Sequence, residues 1–246
     1  MTFNLYGLIL GIAILAGLQA SLWLAKRREI EVKLIEKLFF FVVIGGIIGA
    51  RIYHVVDKWG EIYSLNPQSA FYVWNGGLGI WGAVIGGTIT ASIWYLVVNR
   101  KRVIPAKAGI YIDGSPIRSG MTGKVSFLQL LDVVFFGLPL GQAIGRWGNF
   151  FNNEIVGKNG ESLFLYESIL NLGLFLALVR ISRMKQTGRV GRISGVYLMG
   201  YGLIRFLLEP LRPESIVWEI AGLPTAQIFS VLAIISGVFL IWRRRV

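Results

Sequence analysis

The twenty residues from 5 to 24 carry no charged side chain, and stretches of this kind recur along the chain. No other feature constrains the fold as much, because a ~30 Å hydrocarbon core is crossed by a helix of about 20 apolar residues. Residues 71–99 and 223–242 are equally free of charge. Weaker runs cover 38–56, 127–144, 163–179 and 195–208, each interrupted by polar residues. The reading is an all-α multi-pass membrane protein of about seven transmembrane helices, forming a single membrane domain over residues 1–246. Composition agrees: only 15% of residues are charged, against about a quarter in soluble domains.

Net charge is +12, which by itself suggests nucleic acid or an acidic partner. Its distribution says otherwise. Lys26, Arg27, Arg28, Lys33 and Lys37 follow the first span, and Arg100, Lys101, Arg102, Lys107, Arg118 and Lys124 follow the third. Arg180, Arg183, Lys185, Arg189 and Arg192 follow the fifth, and Arg243, Arg244 and Arg245 end the chain. If the helices alternate, all of these fall on one side. The positive-inside rule then puts the N-terminus outside and the C-terminus in the cytoplasm. The basicity reports topology, and no nucleic-acid partner is expected. The first span lacks a positive leading segment, so it reads as a retained helix and not as a cleaved signal.

Cysteine is absent, which excludes disulfides, cysteine–metal sites and a thiol nucleophile of the protein's own. No metal or cofactor is expected. The longest cytoplasmic connection is an insertion at about 103–124, whose Asp113-Gly114 turn signal fits a short hairpin or a disordered loop equally well. Glycines recur four residues apart at Gly7 and Gly11, Gly45 and Gly49, Gly82 and Gly86, and Gly137, Gly141 and Gly145. That spacing predicts close helix–helix contacts. Trp59, Trp74, Trp94 and Trp242 lie near predicted span ends, where an aromatic belt is expected.

Ionisable residues inside spans carry the functional signal, since an unpaired one costs at least ~2.5 kcal/mol at the bilayer centre. Arg51, Asp132, Glu167, Arg205 and Glu209 are such residues. Arg205 and Glu209 share a helix face and can pair, while Asp132, near the cytoplasmic start of its span, reads as local structure. Arg51, Arg146, Arg205 and Arg212 all fall in the outer half of the membrane or at its outer surface. Guanidinium binds phosphate bidentately and keeps its proton, so these arginines suit a phospholipid headgroup.

Beside them lies "GRWGNFFNNEIVG", residues 145–157. Its glycines permit close backbone approach, and Asn149, Asn152 and Asn153 offer amides that donate and accept. Read alone, the stretch is the non-helical wall of a polar site at a helix end. It resembles, at every fixed position, the G-R-x-G-N-F-x-N-x-E-x-x-G signature of bacterial prolipoprotein diacylglyceryl transferases. "GGIIGARIYHV", "NGGLGIWGAVIGG", "LYES" and "RFLLEPLRP" extend the resemblance along the chain, as does Tyr6-Gly7 in the first span.

The resemblance implies transfer of the diacylglyceryl group of phosphatidylglycerol to the lipobox cysteine of a preprolipoprotein, with release of glycerol phosphate. It also implies an inner-membrane location with the active site toward the outer side. Catalytic roles carry over to Arg146, Arg205, Tyr6 and Glu154. Binding of phosphatidylglycerol carries over to Arg146, Asn149, Gly157, Glu209 and Trp81. Many family members place a histidine, with a general-base role, where this chain has Trp81. The only histidine here is His54, one helix away, read as structural. Tyr6 and Glu154 are the alternative proton acceptors. An anionic-lipid transporter or flippase would account for buried arginines but not for the signature. A noncatalytic assembly factor would account for the glycine faces and leave the arginines idle.

Overall fold

The protein is described by a computed structural model covering residues 5–73, 76–101, 111–112, 115–116, 125–152, 156–184, 189–213, 217, 219–220 and 222–243. Trp74, Asn153, Glu154 and most of the 103–124 insertion lie outside these residues. Among them the chain forms α1 (Leu5–Arg27), α2 (Val32–Asp57), α3 (Ile80–Lys101), β1 (Tyr111–Ile112), β2 (Ser115–Pro116), α4 (Phe127–Phe151), α5 (Leu163–Arg183), α6 (Arg192–Leu208), β3 (Glu219–Ile220), β4 (Leu223–Pro224) and α7 (Thr225–Trp242). Six of the seven helices are long and apolar enough to cross a membrane. The seventh, α6, is 17 residues long. This is an all-α multi-pass membrane protein. The strands add only two antiparallel two-residue pairs, β1–β2 and β3–β4. The first gives the insertion its hairpin, with Tyr111 opposite Pro116.

The described chain divides into two compact units, residues 1–32 with 126–246, and residues 33–125. In the first, α1 lies antiparallel to α4, and small residues set their spacing. A side chain on Gly137 would overlap the Gly17 carbonyl and the Ser21 hydroxyl, and one on Gly141 would press on the Ala13 carbonyl. Gly195 on α6 and Gly237 on α7 meet in the same way, a contact the four-residue spacing does not reveal. Without water to drive apolar helices together, such backbone approach is a main source of membrane helix packing.

The N-terminus of α6 is held by a residue of another helix. Asp132 on α4 is fully buried. Its carboxylate accepts the Gly191 and Ser194 N–H groups at 2.8 Å and the Ser194 hydroxyl at 2.7 Å, and Arg28 pairs with it at 2.7 Å. Otherwise orphaned helix N–H groups thus find an anion at the positive end of the helix dipole. The local-structure reading of Asp132 agrees with this arrangement.

The second unit contains α2, α3 and the segment joining them. Gly45 and Gly49 interlock with Gly82 and Gly86, so closely that a β-carbon on Gly49 would overlap the Gly82 carbonyl. The uncharged run from residue 71 does not form one span. Residues Pro67–Phe71 make a short 3-10 turn, Gly76 and Gly77 take φ of 84° and 73°, and α3 begins only at Ile80. Left-handed backbone ends helical propagation, and hydropathy is blind to it.

Candidate active site

The signature is more helical than its glycines and asparagines suggest. Residues 145–151 are the last two turns of α4, which ends at Asn152, whose N–H returns to the Gly148 carbonyl. The expected non-helical wall therefore starts only beyond Asn152. The helical geometry has a consequence for Arg146. It stands on α4 close to its end, and Tyr6 of α1 packs on Gly148 one half-turn further along, where a β-carbon would press on the phenol ring.

Arg146 meets a carboxylate that the sequence reading gave no role. Glu167, in the second turn of α5, is 1% exposed and gathers three guanidiniums. Arg146 Nε is 2.5 Å from its Oε2. Arg212 Nη2 and Arg205 Nη1 reach its Oε1 at 2.8 and 3.5 Å. Arg205 also pairs with Glu209 at 2.8 Å through Nη2, as their four-residue spacing predicts, and Arg212 Nε lies 3.6 Å from the same Glu209 oxygen. Three arginines face two carboxylates, so the cluster keeps a net positive charge.

Proximity and hydrogen bonding diverge in this cluster. Glu167 Oε2, Glu209 Oε2 and Arg212 Nε are buried and make no aligned hydrogen bond, although each lies within ion-pair distance of an opposite charge. The distances establish the charge attraction, and the missing alignment leaves donor and acceptor capacity unspent. A buried polar atom with no partner at all costs about 1–3 kcal/mol, and the ion-pair contacts here offset most of that. The cluster is suited to exchanging carboxylate contacts for those of another anion.

Around it, Trp147 donates to the Ser168 hydroxyl at 3.1 Å, and Ser168 donates to the Ala143 carbonyl at 2.8 Å. These bonds tie α4 to α5. Gly157 lies where Glu161 closes a turn. Its N–H donates to the Glu161 carbonyl at 2.9 Å, and a side chain there would overlap the Glu161 carboxylate. Asn159 donates to that carboxylate from its backbone and its amide, both at 2.9 Å, and these bonds hold the carboxyl below its ordinary value. Asn149 is in the last turn of α4. Glu154 lies outside the described residues.

Trp81, in the first turn of α3, belongs to the second unit. So does Arg51, which behaves differently from the anion-binding arginine expected. All five of its N–H groups go to backbone carbonyls: Nε to Ala70, Nη1 to Gly76 and Gly77, Nη2 to Ser69 and Tyr72, at 2.6–3.2 Å. It pins the segment before α3. His54 packs edge-on against Tyr63 with ring centroids 6.0 Å apart, and a β-carbon on Gly77 would overlap its ring. No cluster of three or more potential metal ligands occurs among the described residues.

These are features of a helical membrane protein whose first unit gathers three guanidiniums around two buried carboxylates. The profile of the prolipoprotein diacylglyceryl transferase family matches residues 1–243. The chain belongs to that family. It is 34% identical over 264 residues to the phosphatidylglycerol–prolipoprotein diacylglyceryl transferase of Trichormus variabilis, covering 96% of this chain and 84% of that protein. Identity to the protein of that name from Synechococcus elongatus is 34% over 270 residues, covering 98% and 84%. For Halalkalibacterium halodurans it is 32% over 269 residues, covering 99% and 83%.

Proposed function

We propose that this enzyme transfers the diacylglyceryl group of phosphatidylglycerol to the thiol of a lipobox cysteine in a preprolipoprotein, at the outer side of the bacterial cytoplasmic membrane. The observation that carries the reading is the under-satisfied cluster of Arg146, Arg205 and Arg212 around Glu167 and Glu209. A lipid phosphate entering it replaces carboxylate oxygens with its own. Arg146 and Arg205 hold that phosphate, and Glu167 and Glu209 keep the guanidiniums oriented beforehand. Donors fixed in advance toward developing charge supply a large part of catalysis in such sites.

In the transfer, a sulfur–carbon bond forms at the glyceryl carbon while its bond to the phosphate oxygen breaks. The electron pair stays with the departing glycerol phosphate, whose added charge the arginines stabilise. The substrate thiol, with an ordinary pKa near ~8.5, reacts as thiolate. Trp81 cannot accept its proton, because an indole nitrogen only donates. We assign proton removal to Glu154 or to water. Tyr6, packed on Gly148, is assigned as a hydrogen-bond donor in the site, and Asn149 and Gly157 as contributors to headgroup binding. The distribution of basic residues supports an outside N-terminus and a cytoplasmic C-terminus.

Purified protein supplied with phosphatidylglycerol and a lipobox peptide tests the reading. The expected result is a peptide thioether and one glycerol phosphate released per thioether. Lipid translocation or binding without thioether would replace the enzyme reading with that of a transporter.

A further inference from the structure

The opposite end of the first unit carries a second concentration of guanidiniums, and no step of the transfer uses it. There α1 and α5 end and α4 begins. Two hollows are lined by residues of these helices. One, of about 300 Å³, is polar and lined by Arg27, Arg28, Glu29 and Gln129 among others. The other, of about 160 Å³, is a slot lined by Ala20, Trp23, Phe136, Phe175, Val179 and Arg183.

The slot has a built wall. Trp23 stacks on Phe136 at 5.6 Å with planes 16° apart, and Phe175 meets Phe136 edge-on at 5.5 Å. Phe136 is 1% exposed, so it forms the floor. Val179 and Phe175 lie four and eight residues before Arg183 on one face of α5, a stretch of about 12 Å. That length accommodates about half of an acyl chain directed toward the bilayer centre. At the other end stand two cations. Arg183 closes the slot, and the Arg27 guanidinium is held over the Trp23 ring, 5.6 Å from its centroid.

Charge identifies the occupant. Arg28 already pairs with Asp132, and Glu29 offsets one more cation. Lys26, Arg27, Arg28, Arg180 and Arg183 at the ends of α1 and α5 outnumber the carboxylates Glu29 and Asp132, and this excess of positive charge suits an anionic headgroup. Arg28 also keeps its second amino group, Nη2, buried without a hydrogen-bond partner. This end is therefore not saturated in the way Arg51 is.

We propose that this end of the α1–α4–α5 face binds one anionic phospholipid as a non-substrate ligand. Its phosphate lies at Arg27 and Arg183, and one acyl chain fills the slot over Phe136. The lipid comes from the leaflet opposite the transfer site. It packs into the crossing of α1, α4 and α5 from the side where Asp132 secures α6, so occupancy stabilises the bundle that presents the arginine cluster.

Native mass spectrometry of the detergent-purified full chain, titrated with phosphatidylserine, tests this inference. That lipid carries the charge without the glycerol headgroup of the substrate. Loss of one tightly retained lipid is expected in Arg27→Gln/Arg183→Gln, with affinity at that site lowered about tenfold or more. Val179→Phe, which fills the slot and keeps both charges, should remove the same lipid. Arg27→Lys/Arg183→Lys should retain it more weakly, which separates lost charge from a failed fold. Unchanged retention in both the charge and the slot variants would overturn the proposal. So would equal retention of phosphatidylcholine, or displacement of the lipid by inorganic phosphate at equal concentration, which would make the site one for a free anion.

Discussion

Arg51 in the second unit and Arg146, Arg205 and Arg212 in the first are held in opposite ways. Arg51 spends all five donors on backbone carbonyls of one segment. The other three share two carboxylates in contacts that are close but incompletely aligned. A carbonyl cannot leave its peptide, so an arginine saturated in that way shapes the chain and does little else. A carboxylate pair can be exchanged for a phosphate at small net cost, since one anion replaces another. Residue type and membrane depth group these arginines together. The identity of their acceptors separates them.

The largest effect that bears on this contrast is expected at Arg51. Arg51→Ala strands several carbonyls, and a loss of about 3–5 kcal/mol is expected, visible as poor accumulation and a lowered melting temperature. An Arg51→Ala protein that melts like the parent and loses only turnover would put Arg51 in the same class as the cluster. Arg146→Lys is expected to show the reverse pattern. Charge remains and the fork is lost, so peptide lipidation should fall about a hundredfold while the protein still inserts and melts normally. Near-normal turnover would reduce the site to a diffuse positive field.

A smaller effect is expected from a double-mutant cycle on Arg205 and Glu209. The pair should couple by about 1–2 kcal/mol in stability, with Arg205→Met/Glu209→Met more stable than either single variant. That double variant should still be inactive, because Arg205 serves the phosphate as well as Glu209. An active one would make the pair structural, like Arg51. The smallest effect concerns pH. The Glu161 carboxyl lies below its ordinary value of 4.5, chiefly through the Asn159 side-chain bond and then the Asn159 backbone bond. A depressed carboxyl contributes order that is present above its unfolded value and is lost as pH falls through its folded value. Amide protection factors in residues 157–161, taken relative to the base-catalysed intrinsic exchange rate, should thus be flat from pH 6 to 9 and fall only below the usual glutamate range. A fall in protection already at pH 6 would remove Glu161 from control of the loop.

Periodicity and charge made much of this legible. The spans, the Arg205–Glu209 pair and the local role of Asp132 follow from spacing and depth alone. Glu167 did not, because its partners Arg205 and Arg212 lie 38 and 45 residues away in sequence. The available signal was an intramembrane carboxylate with no cation three or four residues from it. The start of α3 departs from the apolar run for a different reason: Gly76 and Gly77 break the helix by backbone conformation, to which hydropathy gives no clue. The "GRWGNFF" turns depart in the other direction, being helical where their composition suggests a break. Their glycines let Tyr6 and neighbouring helices approach without ending α4.

The carboxylate of Asp132 also bears on how the protein is made. At 17 residues, α6 rises about 26 Å, short of a ~30 Å core, so its own hydrophobicity does not fix its depth. Its first turn is instead received by a side chain of α4, which leaves the ribosome some sixty residues earlier. The order of assembly expected from this is that α4 and α1 form the template and α6 is fitted to it. Because the chain has no cysteine, a single engineered thiol at the start of α6 would report that fitting directly. In Asp132→Ala it should become reactive to a water-soluble maleimide while α4 keeps its place.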